Sequence, residues 1–99
     1  MPDEPLHDLL AGVNSERSLL DFIAALVRDR RDAIAVEKQK PSSPYGADAG
    51  GWQNTSIEGF LNAAAAWAES TNFGVTQGLQ PDNPWKRFAT FLYSGKVYE

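Results

Sequence analysis

Apolar side chains recur along this chain at helical spacing. From Ser15 to Arg31, Leu19, Phe22, Ile23, Leu26 and Val27 follow the i, i+3, i+4, i+7 rule and share one face. Ser15, or Ser18 with Asp21 three residues on, supplies the N-cap. At about 100° per residue Arg30 falls on the apolar stripe, so the helix is expected to end near Arg31. The next stretch, "AIAVEKQ" at 33–39, either continues that helix or forms a short strand, and its pattern fits both. A shorter helix from about Pro5 to Ala11, stopped by Gly12, precedes them.

A second strong pattern covers residues 55–70. Thr55 and Glu58 have the spacing of a capping box, and Ile57, Phe60, Leu61, Ala64, Trp67 and Ala68 fall within a face about 120° wide. Gly59 costs this helix about 1 kcal/mol relative to alanine. The expected compensation is close approach, with Trp52 mostly buried and its ring laid over the bare first turn, and Trp67 anchoring the far end. The third helix, 84–95, starts with Asn83 as cap and Pro84 in the first turn, where a missing N–H costs nothing. Gly95 is the expected left-handed C-cap. Trp85, Phe88, Ala89 and Leu92 form its central stripe, flanked by Phe91 and Tyr93, so apolar side chains cover more than half its circumference. A helix this apolar is wedged between two layers or offers part of itself to a partner.

Two polar stretches, 41–51 ("PSSPYGADAGG") and 71–83, read as loops, the second pinned to the core by Phe73, Val75 and Leu79. The expected fold is one all-α domain over residues 1–99: an N-terminal segment 1–14, then a bundle of three main helices at 15–31, 55–70 and 84–95. A short strand pair near residues 33–45 is the alternative.

Composition narrows the function classes. Ninety-nine residues make one modest core. Ten of the eleven aromatic residues lie between Tyr45 and Tyr98, which places most of the core in the C-terminal half. The net charge of −4 argues against nucleic acid, whose phosphates select basic patches. The most basic run, Arg28 to Lys40, mixes five cations with three acids and reads as a solvated face. With no cysteine there is no disulfide or thiolate site, and no stretch approaches the roughly 20 apolar residues of a membrane span. The start, "MPDEPLHDLL", lacks the layout of a signal peptide, so the sequon at Asn54 reads as chance and the cytoplasm is the expected compartment.

Catalytic chemistry is scarce. The only histidine, His7, sits in the weakest predicted segment and reads as a surface residue. Glu58, Asn62 and Glu69 share a polar helix face, but Glu58 and Glu69 stand eleven residues apart, about 16 Å along a helix, too far to share a metal or a proton. "YGADAGG" has neither the glycine spacing nor the preceding strand of a phosphate loop, and no Ser or Thr follows Gly95-Lys96. Zinc lacks its His and Cys ligands, and Asp48 and Asp82 are too isolated for a calcium loop. No cofactor or metal is expected, and an enzyme is not the expected class.

Two stretches carry a resemblance. "GWQNTSIEGFLNAAAAWAES" presents Trp52, Asn54, Ser56, Ile57, Glu58, Phe60, Leu61 and Trp67; "PWKRFATFLYSGKVYE" presents Trp85, Phe88, Ala89, Leu92, Gly95, Lys96, Tyr98 and Glu99. In that pattern the chain resembles a family of small bacterial proteins classed as a domain of unknown function. The resemblance implies no activity, substrate or catalytic residue. The leading expectation is therefore a non-enzymatic protein-binding module, an adaptor, regulator or immunity-type protein contacting another protein through Phe91, Tyr93 and Tyr98. The competing expectation is a small-ligand-binding or minimal enzymatic domain, its pocket lined by Trp52, Trp67, Trp85 and Tyr93 between the helices at 55–70 and 84–95. For the last residues, one reading folds Tyr98 over the 55–70 helix with Lys96 near a negative helix end. The other leaves Tyr98 in an exposed aromatic patch.

Overall fold

The computed structural model describes residues 4–43 and 46–98, which form an all-α domain. Four helices follow in order: α1 (Glu4–Ala11), α2 (Glu16–Gln39), α3 (Ile57–Thr71) and α4 (Pro84–Val97), with 3-10 turns at Ala49–Gly51 and Val75–Gln77. Among the described residues there is no β-strand; Asp48 and Trp52 make one isolated antiparallel bridge. The strand alternative is thereby overturned for residues 33–43. Residues 44 and 45, also part of the predicted loop 41–51, lie outside the described residues.

α2 starts where the serines place it. Ser15 Oγ accepts from the Ser18 N–H, and Ser18 Oγ accepts from the Ser15 N–H, a reciprocal cap. The helix does not stop at Arg31 but runs to Gln39. Two side chains explain the extension. The Ala33 methyl is buried and faces the turn at Gly50, and Glu37 binds the loop beyond it. The Glu37 carboxylate accepts from the backbone N–H and hydroxyl of Ser42 and from the Ala49 N–H. A strand at 33–39 would draw Ala33 and Glu37 about 13 Å apart, where the helix sets them one turn apart, and would lose both anchors.

In α3 the cap is Ser56, whose Oγ accepts from the Gly59 N–H, not the predicted pair of Thr55 and Glu58. α4 begins as expected: Asn83 Oδ1 accepts from the Lys86 N–H, Pro84 opens the helix, and Asn83 Nδ2 also donates to the Val13 carbonyl. The helix then passes through Gly95 to Val97, so Gly95 is a buried helix interior position and not a C-cap. The close approach expected at Gly59 occurs here. A Cβ on Gly95 would stand 2.7 to 2.9 Å from the Phe60 ring, whereas the atoms nearest a Cβ on Gly59 belong to Ser56 and Asn54, not to Trp52.

The core joins Leu6, Val13, Leu19, Phe22, Ala25, Leu26, Ala33, Trp52 and Ala89, with Leu10, Ile23, Phe60, Leu92 and Tyr93 packed against it. α3 packs chiefly on α4, and α4 on α2 and α1. A separate aromatic run closes the other end. Trp67 meets Phe73 edge-on, Phe73 stacks on Phe91 with centroids 5.2 Å apart, and Phe91 stacks on Phe88. Phe73 sits in the left-handed region (φ 54°), held there by that stacking and by Arg87 Nε, which donates to its carbonyl.

Two outcomes follow. Gly95→Ala gains helix propensity of about 1 kcal/mol but drives a methyl into a packed ring, for a net loss of about 1–3 kcal/mol; an unchanged or raised urea midpoint would show that Phe60 yields freely. The three bonds from Ser42 and Ala49 hold the Glu37 carboxyl below its ordinary 4.5. A depressed folded value means stability present above 4.5 and lost as pH falls through the lower folded value. Glu37→Gln lacks that contribution, so its stability deficit against the parent shrinks as pH falls below 4.5 in acid titrations followed by circular dichroism; a deficit independent of pH contradicts this.

Candidate functional site

Between α2 and α4 an ion pair lies beside an indole, its lysine fully buried and its aspartate 22% exposed. The Lys96 side chain is fully buried, and its Nζ donates to Asp29 Oδ2 at 2.8 Å. The same oxygen accepts from Trp52 Nε1 at 2.9 Å. The Lys96 ammonium and the Arg30 guanidinium lie 5.4 and 5.2 Å from the Trp52 ring centroid, within cation–π range. Arg30 thus occupies the apolar stripe of α2 because Trp52 covers it. Its Nη1 is buried without a hydrogen bond and is compensated by Asp48, 3.8 Å away.

The two residues after Trp52 finish α4. The Gln53 N–H donates to the Lys96 carbonyl, and Asn54 Nδ2 donates to the carbonyls of Gly95 and Tyr98. These acceptors belong to the last turn, which has no helical donors of its own. The Tyr98 hydroxyl donates to Ser70 Oγ at 3.3 Å, so the tail folds onto α3 as the first reading had it. Lys96 lies in the last turn of α4, and its ammonium meets Asp29 of α2.

The six sequence candidates separate. Trp52 is 4% exposed and Trp67 3%; Trp67 Nε1 donates to Gln77 Oε1. Phe91 is half-buried between Phe73 and Phe88. Tyr93 is half-buried and hydrogen-bonded to His7 Nε2 at 2.8 Å. Tyr98 is half-buried against α3. Trp85 is 40% exposed. The predicted pocket between the helices at 55–70 and 84–95 is therefore corrected. Of its four residues only Trp52 lines a groove between α2 and α3, which measures about 310 Å³ and is walled by Val27, Arg30, Ile57, Phe60 and Leu61.

Sequence reasoning missed the exposed apolar residues. Ile57 and Leu61 were assigned to the core face of α3, yet they stand 75% and 53% exposed, and Phe88, assigned to the central stripe of α4, is 43% exposed. Phe88 also lines a second depression of about 300 Å³ with Phe73, Pro84 and Arg87, next to Trp85 in sequence. The linings of both depressions are apolar and aromatic, with one guanidinium each. Among the described residues no three His, Cys, Asp or Glu side chains converge as a metal site would require. No helix among them is long and apolar enough to cross a membrane.

A family model matches residues 15–99. The chain belongs to the family of unknown function DUF7660. Comparison with curated proteins and with solved structures gives no match. The DUF7660 match begins at Ser15, the N-cap of α2, and so takes in the ion pair, the Trp52 cover and both depressions.

The DUF7660 chain should depend on that ion pair in a specific way. Lys96→Met leaves Asp29 without its cation and costs about 1–3 kcal/mol, less than for a pair buried on both sides because the Asp29 side chain is 22% exposed. Adding Asp29→Asn removes the orphaned charge and keeps an acceptor for Trp52 Nε1, so the double variant is more stable than Lys96→Met alone. Urea melts that rank the double variant lower would mean the pair is not the source of the loss.

Proposed function

We propose that the chain is a non-enzymatic protein-binding module that docks another protein on the aromatic start of α4. The observation that carries this reading is the exposure of Trp85 and Phe88, 40% and 43%, beside Arg87. Trp and Arg dominate the energetics of protein interfaces, and a rigid aromatic pair loses little side-chain entropy on binding. Arg87 is pre-set: its Nε bonds the Phe73 carbonyl and its guanidinium lies 5.3 Å from the Phe73 ring centroid. The surface is ordered before a partner arrives, which lowers the cost of association. The net charge of −4 favours a basic partner, and the lack of cysteine fits action in the cytoplasm. An adaptor, regulator or immunity-type role all use such stoichiometric contact.

The small-ligand reading has the volume of the α2–α3 groove in its favour. Its walls oppose it. A ligand pocket encloses most of its occupant, while Ile57 and Leu61 stand open to solvent.

Affinity purification of the tagged chain from its host is expected to retain a stoichiometric protein partner. Trp85→Ala and Phe88→Ala should each weaken that complex by about thirtyfold, the loss of a hot-spot contact, while the circular dichroism of the free chain stays unchanged. A chain that comes through with no such partner, or variants that retain it in full, would overturn the assignment.

A further inference from the structure

α2 has two apolar faces, and only one is used by the fold. Leu19, Phe22, Ala25, Leu26 and Ala33 are buried. About 130° round the helix from these, Leu20, Val27 and Ile34 stand 44%, 44% and 40% exposed. These three are spaced by seven residues, and at about 100° per residue they fall within an arc of about 40°. Glu16 and Lys38, both exposed, fall within that same arc at its two ends. The stripe thus reads acid, apolar, apolar, apolar, base along about 33 Å of helix. It is symmetric about Val27: Leu20 and Ile34 lie seven residues either side, Glu16 and Lys38 eleven.

A stripe with that symmetry is complementary to itself when reversed. Laid antiparallel across a two-fold axis at Val27, Leu20 meets Ile34 of the second copy, and Glu16 meets Lys38, at both ends. The flanking cations Arg30 and Arg31 come opposite Ala24 and Ile23 of the second copy, not opposite another cation. No like-charge pair opposes along the stripe. The groove beside it supplies the rest of the contact. Val27 forms one wall and Ile57 and Leu61 the other, so a second α2 lying along Val27 is also within reach of those two exposed side chains.

We infer that the chain forms an antiparallel homodimer through α2, with Val27 on the two-fold axis and Glu16 paired with Lys38 of the second copy. A C2 interface must be self-complementary, and the placement of the two opposite charges meets that condition. A foreign amphipathic helix would need only the apolar residues; it gives no reason for charges balanced about Val27. The dimer goes beyond the partner surface proposed above, because it uses α2 and α3 whereas Trp85 and Phe88 belong to α4. It is measured on the pure full-length chain, so either assignment can fail alone.

Sedimentation equilibrium of the pure chain over a concentration series is the test. The parent is expected to dimerise reversibly. Val27→Asp brings two carboxylates together on the axis and should leave a folded monomer. Glu16→Lys places cation against cation at both ends and should raise the dimer Kd about tenfold or more, as Lys38→Glu does with acids. The double variant Glu16→Lys with Lys38→Glu restores both pairs and should return the Kd to within about threefold of the parent. That rescue separates a specific interface from a general loss of stability. A monomeric mass up to about 1 mM, a dimer that survives Val27→Asp, or single charge reversals that the double variant does not rescue would each overturn the inference. A monomer that takes up a helix from another protein along the same stripe overturns it equally.

Discussion

One oxygen atom organises this molecule. Asp29 Oδ2 accepts from both Lys96 and Trp52, which brings the middle of α2, the end of α4 and the start of the loop before α3 to a single point. A lysine with no exposed surface is costly to bury, and it persists only where a carboxylate meets it. With that pair formed, the indole covers it, and the backbone after Trp52 lies along the last turn of α4. Gln53 and Asn54 are then placed to take the carbonyls of Gly95, Lys96 and Tyr98. Ser56 caps α3 two residues later, and Phe60 comes down on Gly95. Each step fixes the next, so the direction of α3 is set by an ion pair in which α3 takes no part.

What the sequence made legible was local. The serine cap of α2, the Asn83-Pro84 start of α4 and the burial of Leu19, Phe22, Leu26 and Trp67 depend on neighbours within a turn or two. The failures were long-range. Gly95 looked like a cap because it follows an apolar helical run; its real constraint is a ring thirty-five residues earlier. Arg30 looked like a helix end because a cation on an apolar stripe is unfavourable unless something covers it, and Trp52 does. Residues 33–39 were ambiguous because Ile34 and Val36 suit a strand as well as a helix. The contacts of Ala33 and Glu37 with the loop decide it, and spacing along the chain does not encode them.

The site was less legible than the fold for a related reason. The six candidate residues are all aromatic, and aromatics bury the most area in any core. Trp52 and Trp67 are therefore structural, each with its ring N–H bonded to a side chain of this same chain. The exposed apolar side chains Val27, Ile57 and Leu61 belong to stripes that read as core, because periodicity shows that a face is apolar without saying how much of it another helix covers. α2 and α3 both rest on α4 and leave a groove between them, and that arrangement exists only in three dimensions.

The residues that carried the family resemblance divide along the same line. Trp52, Asn54, Phe60, Gly95, Lys96 and Tyr98 are joined in one set of internal contacts, and Trp67 and Ala89 are buried. Folding accounts for these. Ile57, Leu61, Trp85 and Phe88 keep 40% or more of their surface in water although they occur in the same two stretches, and of these Phe88 also stacks on Phe91. These side chains lie on two surfaces, the groove beside α2 and the start of α4, and those are the surfaces proposed above for contact. The first adjoins a stripe whose charges match its own reverse, and the second presents a tryptophan next to a pre-positioned arginine. On the two proposals above, the packing around Asp29 is what holds both surfaces in place.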